Sequence, residues 1–396
     1  MKRLALLGAT GSIGTQTLDV VRALPDRLAI VGLSVHSRWE DACRYAREFL
    51  PRVVVVTDEA RRGEFDESQL PSGCRLAWGQ EEVEALAAAD DVDCVVAAMV
   101  GAAGLRGALA AVEAGKQLAL ANKETLVVAG ELVMAAARRS GSVVLPVDSE
   151  HSAVFQCLAA GRREDVERVV LTASGGPFRT WPLEKFAAIR PADALKHPNW
   201  EMGPKITVDS ATMMNKALEL IEARWLFDLP AERLGAVIHP QSVVHSFVEF
   251  ADGSVLAQAS PPDMRLPIQY ALTFPERLPG PARKMDWQAA ANWEFLPPEP
   301  LRYPALELGM EVVRQGGNAG AALNAANEAA VARFLAGSLR FNEIVRLCAD
   351  VLRRRPREGS ADAGGGPDLA GLLRTDAWAR QEAARWIGSS SDTASP

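Results

Sequence analysis

The feature that most constrains the fold is the regular alternation of short apolar runs with helical patterns over residues 1–147. The runs are continuous, as at residues 53–56, which is typical of strands buried on both faces of a parallel sheet. Strands that alternate with helices predict βαβ units and one doubly wound parallel sheet. The predicted strands are residues 3–7, 30–33, 53–56, 92–99, 117–121 and 142–147.

The pattern changes after residue 147. Strand patterns at residues 169–172, 236–238, 243–250 and 254–259, with a helix around 210–227, predict a second α/β domain. Residues 274–304 hold seven prolines and are interpreted as a connector. Apolar residues then recur at helical spacing over residues 305–314, 319–336, 341–355 and 368–386, which predicts a helical domain.

We therefore expect an α/β protein with an N-terminal Rossmann-like doubly wound parallel sheet, a central α/β catalytic domain and a C-terminal helical bundle. A length of 396 residues favours two or three domains. The predicted boundaries are 1–147 for the cofactor domain, 148–273 for the catalytic domain, 274–304 for the connector, 305–388 for the helical domain and 389–396 for a tail.

Composition narrows the function classes. With 48% hydrophobic and 23% charged residues, the chain has the composition of a soluble globular protein, and no apolar run reaches membrane-spanning length. The first apolar run ends at Gly8, too early for a signal peptide, so we expect a cytoplasmic protein without a membrane partner. A net charge of -7 without a basic block argues against nucleic acid, and five scattered cysteines support neither disulfides nor a zinc site.

A glycine-rich turn follows the first predicted strand. The sequence Gly8-Ala9-Thr10-Gly11-Ser12-Ile13-Gly14 is a variant of the dinucleotide fingerprint, in which missing side chains let amides at a helix N-terminus approach a pyrophosphate. The alternative is a turn that is merely tightly packed. The position of the turn inside a βαβ pattern favours a dinucleotide site.

The end of the second predicted strand separates NAD from NADP. A carboxylate there would repel a 2′-phosphate, and residues 34–38 contain no Asp or Glu but two serines and an arginine. Ser37 and Arg38 are therefore candidate contacts to NADPH. The alternative for Arg38 is an ordinary solvated surface charge.

Two carboxylates, Asp148 and Glu150, flank Ser149 just after a predicted strand. Residues two apart on an extended chain project to the same side, and oxygen ligands without a Cys/His cluster favour Mg²⁺ or Mn²⁺. The alternative is a helix N-cap with a carboxylate in the first turn. Lys123, between Asn122 and Glu124, follows another strand and could face a reacting carbonyl at the ligand-binding edge of the sheet. Asn122 and Glu124 are candidate cofactor contacts.

A predicted helix over residues 210–219 places Asn215 and Glu219 on one face, with Lys216 nearby. Together with Ser210 and with Ser174 in a Ser-Gly-Gly turn, these donors could surround a phosphate. Each also has an ordinary structural interpretation: Ser174 as a turn former, Ser210 as a helix N-cap, and Lys216 with Glu219 as a surface ion pair.

Residues 197–204 begin with His197 and place Trp200 and Met202 between Pro198 and Gly203. An aromatic side chain on a loop is costly unless it closes onto something, so this segment is interpreted as a flap that covers a substrate. The alternative is a loop that Trp200 pins into a core.

Several segments resemble, in sequence and in order, the 1-deoxy-D-xylulose 5-phosphate reductoisomerase family. They are GATGSIG, ALANKETLV, PVDSEHSAVFQ, LTASGGPF, HPNWEMGPKITVDSATMMNKALELIEA, IHPQSVVHS and LNAANEAAVARF. The resemblance implies NADPH-dependent rearrangement and reduction of 1-deoxy-D-xylulose 5-phosphate to 2-C-methyl-D-erythritol 4-phosphate, for isoprenoid precursors. It also implies a homodimer formed by the central domain and a C-terminal four-helix bundle.

The resemblance further implies a role for individual residues. Asp148, Glu150 and Glu219 would ligate Mg²⁺ or Mn²⁺. The sugar-phosphate substrate would contact Lys123, Ser149, Glu150, His197, Ser174, Ser210, Asn215 and Lys216, with Trp200 in the flap. NADPH would contact Thr10, Gly11, Ser12, Ile13, Glu124 and Gly203.

Two other functions share part of this pattern. A plain NADPH-dependent dehydrogenase of the aspartate-semialdehyde or homoserine kind would share the glycine-rich turn but would not need three carboxylates. A redox-sensing module that keeps NADPH without turnover would have no use for Asp148, Glu150 and Glu219 together.

Overall fold

The computed structural model describes residues 1–196, 202–288, 291–356 and 368–387. Its first part is a seven-stranded sheet with the order β4-β3-β2-β1-β5-β6-β7, in which neighbouring strands run parallel. The order reverses at β1, so the crevice at the carboxyl ends of β1 and β5 is the expected ligand position of a doubly wound sheet. The strands are β1 (Lys2–Leu7), β2 (Leu28–Val35), β3 (Val53–Val56), β4 (Arg75–Trp78), β5 (Cys94–Ala97), β6 (Gln117–Leu120) and β7 (Val144–Pro146).

Helices join these strands. They are α1 (Ser12–Ala23), α2 (Trp39–Phe49), α3 (Gln80–Ala88), α4 (Leu105–Glu113), α5 (Glu124–Ser140) and α6 (Ser149–Leu158). In α1 the buried residues Leu18 and Val21 lie three apart, so one face packs on the sheet while the other stays polar. The long helix α5 is interrupted at Ala129, whose φ of -136° and ψ of 29° are not helical.

Strand β4 was not predicted. It lies at one edge of the sheet, and of its four residues only Ala77 is fully buried. Its apolar run is only three residues long, Leu76 to Trp78, and follows a charged arginine, so the pattern of apolar runs did not reveal this strand. The other strands of the sheet were predicted, with ends that differ by a few residues.

The rest of the described chain mixes strands and helices. Its strands are β8 (Val166–Ala173), β9 (Leu234–Ile238), β10 (Val244–Phe250) and β11 (Val255–Ala259). Its helices are α7 (Pro191–Ala194), α8 (Pro204–Thr212), α9 (Met214–Phe227), α10 (Arg265–Thr273), α11 (Pro304–Gln315), α12 (Ala319–Leu335), α13 (Ile344–Arg354) and α14 (Leu369–Arg385). Strands β8 and β9 pair in parallel, and α12 packs on both α13 and α14. The predicted C-terminal helices are therefore present.

One prediction about these helices was wrong. The predicted helix over residues 210–227 is two helices, α8 and α9, because Met213 adopts a left-handed conformation with φ 61° and ψ 12°. Met213 is buried with Ala173, Ile238 and Tyr303. Methionine rarely adopts a left-handed backbone conformation, and here that conformation occurs where the side chain is packed in a core.

The chain forms two compact units. Unit 1 consists of Met1–Thr125, Val133–Val166 and His245–Ala290, and unit 2 of Leu126–Leu132, Glu167–Val244 and Ala291–Pro396. Unit 1 contains the seven-stranded sheet with α10, whose Ile268 joins the core under the sheet. None of the described helices is long and apolar enough to cross a membrane. The predicted domain boundaries stay a prediction.

Candidate active site

The glycine-rich turn of unit 1 lies directly between β1 and α1. Gly8 has a φ of +90°, and a Cβ there would come within 2.7 Å of the carbonyl oxygen of Ala98. A Cβ on Gly14 would come within 2.3 Å of the Gly8 carbonyl oxygen, whereas one on Gly11 would make only ordinary contact at 3.5 Å. Gly8 and Gly14 are thus required by the turn itself, while Gly11 keeps the surface in front of α1 open.

The first turn of α1 is suited to an anion. No side chain caps this helix N-terminus and its first turn contains no acidic residue, so its amides and the helix dipole are available to a pyrophosphate. The turn and the start of the helix contain the predicted cofactor residues Thr10, Gly11, Ser12 and Ile13.

The last two residues of β2 and the loop that follows, residues 34–38, are together called the ribose loop below. Its first serine is not available to a ligand, because Ser34 is buried and its hydroxyl accepts from the Gly8 amide at 3.1 Å. Ser37 is half-buried, and Arg38 is exposed with its guanidinium 3.6 Å from Asp41. Of the two hydroxyls that the sequence offered for a 2′-phosphate, only that of Ser37 remains.

Asn122 is a structural residue of the neighbouring loop. Its amide nitrogen donates to the carbonyl oxygens of Met99 and Gly101 and to the carboxylate of Glu124, at 2.7, 3.1 and 3.0 Å. Its amide oxygen accepts from the backbone and hydroxyl of Thr125. The predicted cofactor residue Asn122 therefore orients Glu124, and its own side chain is committed to the protein.

Lys123 and Asp148 form a largely buried ion pair in unit 1. The ammonium lies 2.6 Å from Asp148 Oδ2, and the two side chains are 8% and 11% exposed. Asp148 is also the N-cap of α6, since its Oδ1 accepts from the Glu150 amide at 3.3 Å. The N-cap alternative is therefore correct for Asp148, and it exists together with a charge pair that an ordinary cap would not need.

Glu150 lies in the first turn of α6 and accepts from the hydroxyl of Ser149. The chemistry of the donor set fits a hard cation, because Asp148 and Glu150 offer only oxygen atoms on half-buried carboxylates. This part of unit 1 therefore favours a cation or a proton.

In unit 2 the break at Met213 creates a second helix N-terminus. The first turn of α9 contains Asn215 and Lys216 and no acidic residue. Its amides thus add to a side-chain amide and a buried ammonium, the combination that a phosphate group prefers. Ser210 lies just before the break, in the last turn of α8, so the N-cap interpretation of Ser210 was wrong.

Lys216 and Glu219 do form an ion pair, but not a surface one. Their side chains are 3% and 1% exposed. Glu219 also accepts from Asn215 Nδ2 at 2.5 Å. Because burial of charges costs several kcal/mol unless they are paired, this arrangement is not that of a solvated helix face.

The Ser174-Gly175-Gly176 turn follows β8 and packs against the end of α8. Both glycines have positive φ, and a Cβ on Gly176 would come within 2.9 Å of Ala211 Cα. Tyr303 donates to the Gly175 carbonyl at 3.0 Å, and the Gly176 amide donates to the Ser174 hydroxyl at 3.2 Å. The structure thus brings the Ser174 turn next to the segment that contains Ser210.

The predicted flap is described only in part. His197 and Trp200 lie outside the described residues, as does Glu201. Gly203 is exposed and is the N-cap of α8, with Pro204 at the first helical position. The flap therefore stays a prediction.

Sequence reasoning missed a buried polar group that joins α8 to α12. Asp209 is 1% exposed, accepts from Asn327 Nδ2 at 2.8 Å, and pairs with Lys205 at 2.8 Å. Asn327 lies in α12, which is otherwise rich in alanine. The sequence signals that could have revealed this group were a carboxylate beside Ser210 and an asparagine within an alanine-rich helix.

These features define a class of protein. A doubly wound sheet with a glycine-rich turn at its switch point is the fold of dinucleotide-dependent enzymes, and the buried charges of both units are typical of active sites.

Comparison with known proteins identifies the family. The profile of 1-deoxy-D-xylulose 5-phosphate reductoisomerase matches residues 4–130, and two profiles of C-terminal domains of that enzyme match residues 144–227 and 259–382. The chain is 50% identical over 391 residues to 1-deoxy-D-xylulose 5-phosphate reductoisomerase of Gloeobacter violaceus, which covers 98% of this chain and 97% of the relative. The chain belongs to the 1-deoxy-D-xylulose 5-phosphate reductoisomerase family.

Solved structures support the same family assignment. The chain superposes with a TM-score of 0.90 and 40% identity on a DOX-P reductoisomerase in complex with NADPH, fosmidomycin and magnesium, covering 97% of this chain and 98% of that one. The reductoisomerase of Zymomonas mobilis, in complex with NADPH, gives a TM-score of 0.89 and 41% identity over 97% and 98%. The predictions of the family, the α/β fold class and an oxidoreductase are confirmed.

Proposed function

We propose that this chain converts 1-deoxy-D-xylulose 5-phosphate to 2-C-methyl-D-erythritol 4-phosphate, with NADPH as hydride donor and Mg²⁺ or Mn²⁺ as cofactor. The observation that carries the proposal is the break at Met213. The break gives α9 an N-terminus within the segment HPNWEMGPKITVDSATMMNKALELIEA, which resembles the family. Asn215 and Lys216 lie in the first turn of this helix.

The phosphate of the substrate is assigned to unit 2. Ser174, Ser210, Asn215 and Lys216 supply hydroxyl, amide and ammonium donors, and the N-terminus of α9 supplies backbone amides. Because Lys216 is buried, its charge acts at low effective dielectric and binds a dianion more strongly than a surface lysine would. Loss of the phosphate from a substrate analogue should therefore weaken binding greatly.

The divalent cation is assigned to Asp148, Glu150 and Glu219. All three are carboxylates and offer only oxygen atoms, so the donor set suits Mg²⁺ or Mn²⁺. When bound, such an ion polarises substrate oxygens and stabilises negative charge that develops on them. Lys123 holds Asp148 in place, and Ser149 orients the Glu150 carboxylate.

The remaining substrate contacts are Lys123, Ser149, Glu150 and the flap residues His197 and Trp200. Closure of the flap would exclude water from the reacting groups. NADPH is assigned to the amides of α1 and to the ribose loop. Its proposed contacts are Thr10, Gly11, Ser12, Ile13, Ser37, Arg38, Asn122, Glu124 and Gly203.

The location of the protein, its oligomeric state and its domain organisation belong to the same proposal. The protein acts in the cytoplasm as a homodimer formed through its central domain. It is organised as a cofactor domain (1–147), a catalytic domain (148–273), a connector (274–304), a helical domain (305–388) and a tail (389–396).

The test is an NADPH-oxidation assay with 1-deoxy-D-xylulose 5-phosphate, with and without Mg²⁺, on the wild type and on Glu219→Gln. We expect turnover only with the ion, a loss of two or more orders of magnitude in the variant, and weaker binding of Mn²⁺ measured by electron paramagnetic resonance. Glu307→Gln is the matched control, because Glu307 lies on another helix of unit 2, is 76% exposed and forms its ion pair with Arg314 on the surface. Metal-independent turnover, or an unimpaired Glu219→Gln, would overturn the mechanism.

A further inference from the structure

The segment after β3, residues 57–62, lies against the ribose loop. The parallel register pairs Val35 with Val56, so both strands end at the same edge of the sheet. Beyond these ends the Thr57 amide donates to the Val35 carbonyl at 3.0 Å, and the Asp58 amide donates to the His36 carbonyl at 3.2 Å. The two loops therefore form one surface in unit 1.

Arg61 connects this segment to the ribose loop. Its Nη1 donates to the backbone carbonyl of Ser37 at 3.0 Å, and its Nε donates to Glu64 at 2.8 Å. The guanidinium carbon lies 5.6 Å from the centre of the Phe65 ring, within cation–π range. The side chain is nevertheless 41% exposed, so a ligand at the ribose loop can reach this guanidinium.

The Arg61 guanidinium lies over a stack of three aromatic side chains. Phe65 stacks on Trp39 at 4.7 Å between ring centres and on Trp78 at 5.1 Å. Trp39 directly follows Arg38, so the same aromatic stack adjoins one end of the ribose loop and the Arg61 guanidinium. An arginine held in this way loses little conformational entropy when it binds a ligand.

The charges around the loop leave Arg38 available as well. Asp41 lies 3.6 Å from Arg38 but only 2.6 Å from Arg44, which satisfies it more closely. The Arg38 side chain is 57% exposed. Two partly exposed guanidinium groups are thus available beside Ser37: Arg38, which follows it in the chain, and Arg61, which donates to its carbonyl.

We propose that Arg61 is a second recognition group for the 2′-phosphate of NADPH, acting with Arg38. It sets the preference for NADPH over NADH through a charge-assisted hydrogen bond, with the Ser37 carbonyl fixing its orientation. The proposal rests on the use of NADPH proposed above. It also accounts for a ribose loop in which Ser34 is committed to Gly8 and only one hydroxyl is left.

Arg62 is the matched control. It is adjacent to Arg61 and 60% exposed, but it pairs with Glu59 at 3.3 Å and lies 5.7 Å from the Trp78 ring centre. Within the described residues its hydrogen bond goes to Glu59 and not to the ribose loop. If only the number of positive charges mattered, Arg61→Ala and Arg62→Ala would weaken NADPH binding equally.

The experiment is isothermal titration calorimetry of NADPH, NADH, 2′-AMP and 5′-AMP with the wild type, Arg61→Ala, Arg61→Lys and Arg62→Ala. For Arg61→Ala we expect about tenfold or greater weakening of NADPH and 2′-AMP, with NADH and 5′-AMP unchanged within about twofold. Arg61→Lys should lie between, because lysine keeps the charge but loses the planar fork. Arg62→Ala should match the wild type.

Three outcomes would overturn the proposal. If NADPH and NADH weaken equally in Arg61→Ala, the residue only shapes the loop. If NADPH binding is unchanged, or if Arg62→Ala has the same effect, Arg61 does not recognise the phosphate. A wild type that binds NADH as tightly as NADPH would instead contradict the proposed cofactor itself. Binding of NADH also reports that each variant is folded at this site.

Discussion

The two units form the helix N-termini of the proposed anion sites in different ways. In unit 1, α1 begins after a turn in which Gly8 and Gly14 are required by close backbone contacts. In unit 2, α9 begins after Met213, a large residue with a left-handed backbone. The first solution is written in the local sequence, whereas the second depends on packing of the Met213 side chain against other segments.

The charges differ as well. The first turn of α1 contains no charged residue, so a pyrophosphate there would meet amides and the helix dipole. The first turn of α9 contains Lys216, which is buried against Glu219. In the proposed function, an anion would therefore be recognised mostly by backbone geometry in unit 1 and mostly by buried charge in unit 2. The following predictions test this difference, from the largest expected effect to the smallest.

The largest effect should follow from Lys216→Met. The change removes the cation that faces Glu219 while keeping most of the side-chain volume. Removing one partner of a buried pair typically lowers the free energy of unfolding by about 3–5 kcal/mol. Urea denaturation followed by circular dichroism measures this change.

The control for Lys216→Met lies on the same helix. Arg224 pairs with Asp228 at 2.8 Å, but Asp228 is 81% exposed, so Arg224→Met should cost less than about 1 kcal/mol through the charge pair. Equal costs for the two variants would mean that buried charge is not what distinguishes α9.

The next effect concerns the turn before α1. Gly14→Ala places a Cβ on the backbone of Gly8 and Ala9, at 2.3 and 2.6 Å, where no flexible side chain can give way. We expect the free energy of unfolding to fall by about 2–3 kcal/mol, and NADPH binding to weaken with it. Thermal unfolding and NADPH titration measure the two effects.

Gly11→Ala separates packing from ligand approach. Gly11 has a φ of -73°, and its Cβ would have ordinary contacts only, so stability should change by less than about 0.5 kcal/mol. NADPH should still bind at least tenfold more weakly, because a side chain at this position of the fingerprint keeps the pyrophosphate from approaching the backbone closely. Unchanged NADPH binding in Gly11→Ala would favour the alternative of a merely tight turn.

These contrasts explain what the sequence revealed. The turn of unit 1 was predicted because glycines at this spacing, between a strand and a helix, are typical of a tight turn at a helix N-terminus. The break at Met213 was not, since methionine has no left-handed preference and only tertiary packing accompanies it. The spacing of Lys216 and Glu219 is that of any surface pair, so their burial could not be read from the sequence. Strand β4 was missed because its apolar run is only three residues long and only one of its residues is fully buried.

A smaller effect should separate backbone from side chain at Met213. Met213→Ala and Met213→Gly remove nearly the same buried side chain, so both lose packing energy. In an ordinary helix the glycine variant would be less stable by about 1 kcal/mol. At a φ of 61° we expect the order to reverse, with Met213→Gly more stable than Met213→Ala by about 1 kcal/mol. Urea denaturation of the two variants side by side gives the sign.

The smallest effect concerns a surface pair of unit 1, as a contrast with the buried pair of unit 2. The Arg3 guanidinium hydrogen-bonds to Asp93 and lowers the pKa of that carboxyl to about 2, while the side chains are 44% and 39% exposed. A pKa lower in the folded than in the unfolded chain stabilises the fold at pH values above about 4, and this contribution is lost as the pH falls toward 2. Because water screens the pair, Asp93→Asn should lower the free energy of unfolding by less than about 1 kcal/mol at pH 7, and by less still at pH 3. Urea denaturation of the wild type and Asp93→Asn at the two pH values tests this. A difference that grows on acidification would show that the Arg3–Asp93 pair does not act through charge, and would remove the contrast between surface and buried ion pairs in the two units.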